Sequence, residues 1–160
     1  MGDRAYSGAD TLPPVLTEAL ARDIPVLGTG WGMHAINVAL GGGMPVAVDG
    51  HGAAAGTGGA ALGLPARRQV FLSPGGKVAS TIGGSGWVNV PCAHTHGIRE
   101  AQKAPGLLAS AYANDGVVEA LERPGRHWVM GVEWRLHAPD ELPRGFDNLL
   151  LAFVERARGD

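Results

Sequence analysis

The first clear pattern of apolar positions is Val15, Leu16, Ala19 and Leu20, the spacing of one side of a helix. Thr11 stands where an N-cap is wanted, and Pro13 and Pro14 fall in the first turn, where proline costs least. The spacing predicts a helix from there to Ala21 or Arg22. Ile24 to Leu27 is a continuous apolar run too short for a helix, and it reads as a buried strand. Three glycines at alternate positions follow, Gly28, Gly30 and Gly32. Met33, Ile36 and Leu40 then recur at helical spacing until Gly41 to Gly43 closes the segment. Strand, sharp turn and helix follow one another within twenty residues.

The next tract, residues 45–66, is rich in glycine and alanine and is expected to be a long mobile loop. From Gln69 the pattern turns to β. Val70 to Leu72 is a short strand, Ser73-Pro-Gly-Gly a turn, and Lys77 to Ile82 about one helical turn. Trp87 to His94 is a strand whose Pro91 suits an edge or a bend. Leu107 to Tyr112 and Val117 to Glu122 flank Asn114-Asp-Gly, a strong hairpin signal. Trp128 to Trp134 is a further strand. Asp147 to Arg158 closes the chain as an amphipathic helix built on Leu150, Phe153 and Val154. No internal repeat is visible. The order predicts one α/β domain over residues 1–160, a three-layer sandwich with an appended β region and a flexible stretch at 1–10.

Composition narrows the function classes. Of 160 residues, 45 % are hydrophobic and 18 % charged, a globular balance. A formal net charge of −2 gives no basic footprint, so nucleic acid and anionic membranes are not expected partners. The single cysteine, Cys92, excludes an internal disulfide. With no spanning apolar run and no signal-peptide pattern, a cytoplasmic protein is expected.

Strand, strained turn and helix, with small residues two before and two after a central position, is the layout of a nucleophile elbow. Here the central residue is Gly30, which has no side chain to attack with. Three glycines after a strand also suggest a dinucleotide loop. Position 33, however, is Met, and no acidic residue ends a second strand about 20 residues on, so that reading is rejected and no cofactor is expected.

Four stretches together resemble the class I glutamine amidotransferase-like proteins, and in particular their gamma-glutamyl-gamma-aminobutyrate hydrolase branch. Pro25-Val-Leu-Gly-Thr-Gly-Trp-Gly-Met-His, followed by Asn37-Val-Ala-Leu-Gly-Gly, is similar to the family's Pro-Val-Leu-Gly-Ile-Cys-Arg-Gly-Met-Gln and Asn-Val-Ala-Leu-Gly-Gly. Val90-Pro-Cys-Ala-His-Thr-His-Gly-Ile resembles Val-Asn-Ser-x-His-His-Gln-x-Ile. Asn114-Asp-Gly-Val-Val-Glu-Ala-Leu-Glu resembles Pro-Asp-Gly-Val-Ile-Glu-Ala-Ile-Glu. Gly131-Val-Glu-Trp-Arg-Leu-His matches Gly-Val-Gln-Trp-His-Pro-Glu. The matches come in family order and cover about residues 15–158. The resemblance implies a flavodoxin-like three-layer fold, truncated because only about 22 residues precede the elbow strand. A sheet cut in this way would expose an edge, so a homodimer, a larger oligomer or a covering protein partner is expected.

The resemblance also implies a chemistry that these residues do not supply. The family's Cys falls on Gly30, its His on Arg135 and its Glu on His137. Arginine is no general base at neutral pH. By family placement His34, His94, Arg135 and His137 gather at the old catalytic pocket as candidate acid–base groups, with Gly30, Trp31, His96 and Glu133 as candidate ligand contacts. His94 and His96 alternate, so on a strand both point to one face. The His-x-His spacing is too weak to predict a metal, and none is expected. Cys92 reads as an inert buried thiol, Trp134 as core, and Trp31 as either a stacking surface or a plug. Two functions remain open. One is a scaffold repurposed to bind or transform a small polar metabolite without amide hydrolysis. The other is a non-catalytic subunit covering a partner protein.

Overall fold

The computed structural model describes residues 11–52, 66–138 and 141–159. The expected flexible stretch 1–10 and the greater part of the expected mobile loop lie outside them. The elements, in chain order, are α1 (Pro14–Ala21), β1 (Val26–Thr29), α2 (Trp31–Ala39), β2 (Val46–Ala47), β3 (Arg67–Leu72) and α3 (Lys77–Ile82). They continue with β4 (Gly86–Pro91), β5 (His96–Gly97), β6 (Leu108–Ala113), β7 (Val118–Glu122), β8 (Val129–Val132) and α4 (Asn148–Arg158).

Six strands form one sheet in the order β1-β8-β7-β6-β3-β4, and β2 pairs with β5 in a separate ribbon. Among the described strands only β1 and β8 run parallel, in register from Val26 opposite Val129 to Thr29 opposite Val132. The remaining neighbours are antiparallel, with β6 and β7 forming the hairpin that Asn114-Asp-Gly signals. β1 and β4 are the edge strands, and β4 has Pro91 at its end, where a missing N–H does no harm.

Helices cover both faces, giving the mixed α/β three-layer arrangement. On one face α3 and α4 bring Val78, Ile82 and Leu149 against Val70, Leu72, Ala120, Met130 and Val132. On the other, α1 and α2 bring Leu16, Leu20, Met33 and Ile36 against Val118, Leu121 and Val129. Because both faces are covered, β7 and β8 are buried at every position; β8 is wholly non-polar, and β7 carries two buried glutamates, Glu119 and Glu122.

Three expectations change at this level. The cap of α1 is Pro13, with no side-chain capping bond, so Thr11 does not cap it. The inward residue of α4 is Leu149, while Leu150 and Val154 of the expected apolar face are 38 % and 43 % exposed, with Leu151 beside them at 58 %. Phe153 instead packs on Trp128. The described part of the glycine-rich tract is ordered structure: β2 belongs to it, and His51 is fully buried.

Candidate functional site

The elbow is built by three close approaches. The Gly30 N–H donates to the Val132 carbonyl at 2.8 Å, which ties the turn to the end of β8. A Cβ at Gly28 would stand 2.6 Å from the Gly32 backbone, and one at Gly131 would stand 2.9–3.0 Å from Met33. These two glycines let α2 lie directly on β1 and β8. Gly30 itself has φ 51° and ψ −116°, the left-handed side of the backbone map that disfavours larger residues. Nothing described lies within 4 Å of where its Cβ would stand. The turn holds a nucleophile's conformation and leaves a nucleophile's space open.

One helical turn on, His34 is buried, and its Nε2 lies 2.5 Å from Glu133 Oε1. The ionised carboxylate can only accept, so the ring nitrogen donates. The other ring nitrogen of His34, Nδ1, is buried without a hydrogen-bond partner.

A second buried group stands beside this pair. Its members are His51 from the segment after β2, Cys92 and His94 from the β4–β5 connection, and Glu119 from β7. All four are buried, and their donor atoms lie within 4.8 Å of one another. His51 Nδ1 is 3.2 Å from His94 Nε2, 3.2 Å from Glu119 Oε1 and 3.4 Å from the Cys92 sulfur. His94 Nε2 is 3.3 Å from the same Glu119 oxygen. The outer nitrogens are anchored as well. His51 Nε2 donates to Asp115 Oδ2 at 2.9 Å, and His94 Nδ1 donates to the His96 carbonyl at 2.9 Å. Backbone bonds hold the segments together: the His94 N–H and the Cys92 thiol both donate to the His51 carbonyl.

The electrostatics follow from this packing. Burial works to strip the proton from His94. The Cys92 thiol, the Glu119 carboxylate and the charge of Glu133 outweigh it and push His94 up to about 12. His51 shows the same contest, with burial opposed by Cys92, Glu119 and Asp115, and is pushed up to about 9. Burial opposes ionisation of Cys92 and Glu119, yet hydrogen bonds from the two imidazoles hold both below their ordinary values. The two imidazoles and the two acids thus favour one another's charged forms.

The predicted residues are therefore divided among three places. His34 and Glu133 meet beside the elbow. His94 belongs to the second group and meets only the carbonyl of His96, whose ring is exposed and touches Thr95. The chain leaves the strand after Pro91, so strand alternation does not apply to that pair. Arg135 and His137 follow β8 and are exposed, whereas Trp134 is core, packed on Phe146. Trp31, at the start of α2, is half-buried.

Cys92 is buried, as expected, but two imidazoles stand beside it. His51, Glu119 and Asp115 are absent from the sequence-based candidates. Glu119 carried the one available signal, an acid inside the apolar run Val117-Val-Glu-Ala-Leu. His51 sits among glycines and alanines, where no periodicity marks it.

The sequence profile of the Peptidase C26 family matches residues 10–137. The chain is 38 % identical over 151 residues to the "Putative glutamine amidotransferase" of Mycobacterium tuberculosis, covering 91 % of this chain and 44 % of that one. It thus spans less than half the length of that relative. Among solved structures, it superposes on a "putative gmp synthase subunit a protein" from Thermoplasma acidophilum. The TM-score is 0.67 and the identity 12 %, covering 91 % of this chain and 63 % of the other. A glutamine amidotransferase from Thermotoga maritima gives 0.59 at 12 % identity, over 91 % and 53 % of the two chains. Identities that low speak for the fold, while the profile and the mycobacterial relative speak for descent, and together they place the chain in the Peptidase C26 family of class I glutamine amidotransferase-like proteins.

Proposed function

We propose that this chain is a family member that binds a small polar metabolite above its elbow without cleaving an amide there. One observation carries the reading: Gly30 keeps the strained elbow conformation, φ 51° and ψ −116°, around open space and no side chain. Strained backbone persists where the surrounding structure enforces it, and such sites cluster at ligand clamps. The first turn of α2 presents backbone N–H groups and the positive end of the helix to that space, which favours a carboxylate or carbonyl oxygen. His34 and Glu133 form the polar wall behind the turn. Arg135 and His137, at the positions of the family's other two catalytic residues, are exposed just after β8 and offer a surface cation and an imidazole. By inheritance from the family, the first ligands to test are glutamine and γ-glutamyl amides.

The test is calorimetric binding of L-glutamine and of γ-glutamyl-aminobutyrate, run beside an ammonia-release assay with a protein-free blank. Binding without ammonia above the blank is expected. Turnover above the blank overturns the reading, and so does the absence of binding to either compound.

A second reading, the non-catalytic subunit, draws on one feature. Leu150, Leu151 and Val154 form an exposed apolar row on α4, which packs against the edge strand β1. In this reading the row and the β1 edge are covered by a second copy of the chain, in line with the expected oligomer. Light scattering checks it: a mass of one chain at micromolar concentration rules it out.

A further inference from the structure

We infer that His51, Cys92, His94 and Glu119 form a binding site for one divalent transition-metal ion of the zinc class. The donor set is two imidazoles, one thiolate and one carboxylate. This is the borderline-soft combination that suits zinc, and it is unlike the all-oxygen shells of calcium or magnesium.

The spacing supports the assignment. A tetrahedral zinc with bonds of about 2.05 Å to nitrogen and about 2.3 Å to sulfur holds two nitrogens about 3.3 Å apart. The same geometry holds a nitrogen and a sulfur about 3.5 Å apart. Here the two imidazole nitrogens are 3.2 Å apart, each stands 3.2–3.3 Å from one carboxylate oxygen, and the sulfur is 3.4 Å from His51 Nδ1. These four separations match the corresponding edges of a tetrahedral shell, and all four donor atoms lie within 4.8 Å of one another.

The outer contacts support it independently. The Asp115 carboxylate and the His96 carbonyl can only accept, so His51 carries its proton on Nε2 and His94 carries its on Nδ1. Both lone pairs then face inward at the same point. Metal-bound histidines are oriented in this way by carboxylates and carbonyls behind them. Without a cation, two lone pairs, a thiolate and a carboxylate would crowd together away from water, and such a cluster must draw in protons or a metal. A doubly charged ion balances Cys92 and Glu119, while Asp115 is balanced by Arg68 at 3.5 Å.

All four ligands are buried, which is the form of a structural site with no open position for substrate. Its effect is mechanical. The ion joins the segment after β2, through His51, to the β4–β5 connection and to β7. The inference does not rest on the elbow reading, and its test needs no turnover.

The untagged chain, stripped with a chelator and returned to Zn²⁺, should hold about one zinc per chain by mass spectrometry of the metal. Co²⁺ in its place should give a thiolate-to-metal charge-transfer band. Because Cys92 is the chain's single cysteine, that band and any thiol reactivity belong to it. Zn²⁺ should slow labelling of the thiol at least tenfold, Cys92→Ser should lose the band, and the distant His127→Ala should keep it. Sub-stoichiometric zinc, a cobalt spectrum lacking the thiolate band, or labelling that ignores Zn²⁺ each overturns the assignment. The last two readouts use the unaltered protein, so a Cys92→Ser chain that fails to fold leaves the test intact.

Discussion

The backbone N–H of Glu133 donates to the carbonyl of Glu119 at 2.9 Å, so two buried glutamates stand side by side at neighbouring strand positions. Each faces its own histidine, Glu133 toward His34 and Glu119 toward His51 and His94. The elbow wall and the second buried group are therefore one bond apart. Replacing Glu133 by Ala strands the His34 ring inside the protein with both nitrogens unmatched, at a cost of about 1–3 kcal/mol. A double-mutant cycle with His34→Ala, read from urea midpoints, should give less than the sum of the single losses. Additive losses would mean the two side chains are not coupled.

The helix α3 is capped from the sheet. Glu122 accepts the Lys77 and Val78 N–H groups at 2.9 and 3.0 Å and the Ser110 hydroxyl at 2.8 Å. Glu122→Ala removes all three acceptors from a buried position, and a loss of about 2–3 kcal/mol is expected. Glu122→Gln, which keeps the acceptor oxygen, should recover part of it. Equal denaturation midpoints for both variants would contradict the capping role.

The elbow glycines should differ in kind. Gly28→Ala drives a methyl group into backbone 2.6 Å away, and it should cost several kcal/mol or prevent folding. Gly30→Ala meets open space and bears only the conformational penalty, about 1–2 kcal/mol. Thermal melts of the two variants decide it, and the reverse ranking would reject this account of the turn.

Asp23 pairs with His127 on the surface, and this hydrogen bond holds its carboxyl below the ordinary 3.8. The folded pKa is lower than the unfolded one, so the pair's contribution is present above 3.8 and fades as pH falls through the folded value. Asp23→Asn should therefore lower stability slightly near neutral pH and not in strong acid. A penalty independent of pH would show that charge is not the cause.

Much of this fold can be read from the residues, because local rules agree with the tertiary result. Lys77–Ile82 turns once between glycines, Asn114-Asp-Gly makes a hairpin, and the elbow announces itself by its glycines. Legibility ends where partners are distant in sequence. Cys92 meets His51 across forty-one positions, and His34 meets Glu133 across ninety-nine. Neither distance leaves a periodic trace. Residues 92–95 leave strand geometry between β4 and β5, so alternation misleads for His94 and His96. Family placement grouped His34, His94 and Glu133 with Arg135 and His137; the first three are buried and the last two exposed.

The pairing of β1 with β8 also fixes an order of events. Val26 to Thr29 find their partners more than a hundred residues later, and the Gly30 turn is closed by the Val132 carbonyl. On a ribosome, the elbow cannot take its shape until the last strand has emerged. Until then β1 and α2 lack β8, the strand they lie against here, and the apolar positions that meet it are available to chaperones or to other nascent chains. The segment that looks most complete in the sequence is the last to be assembled.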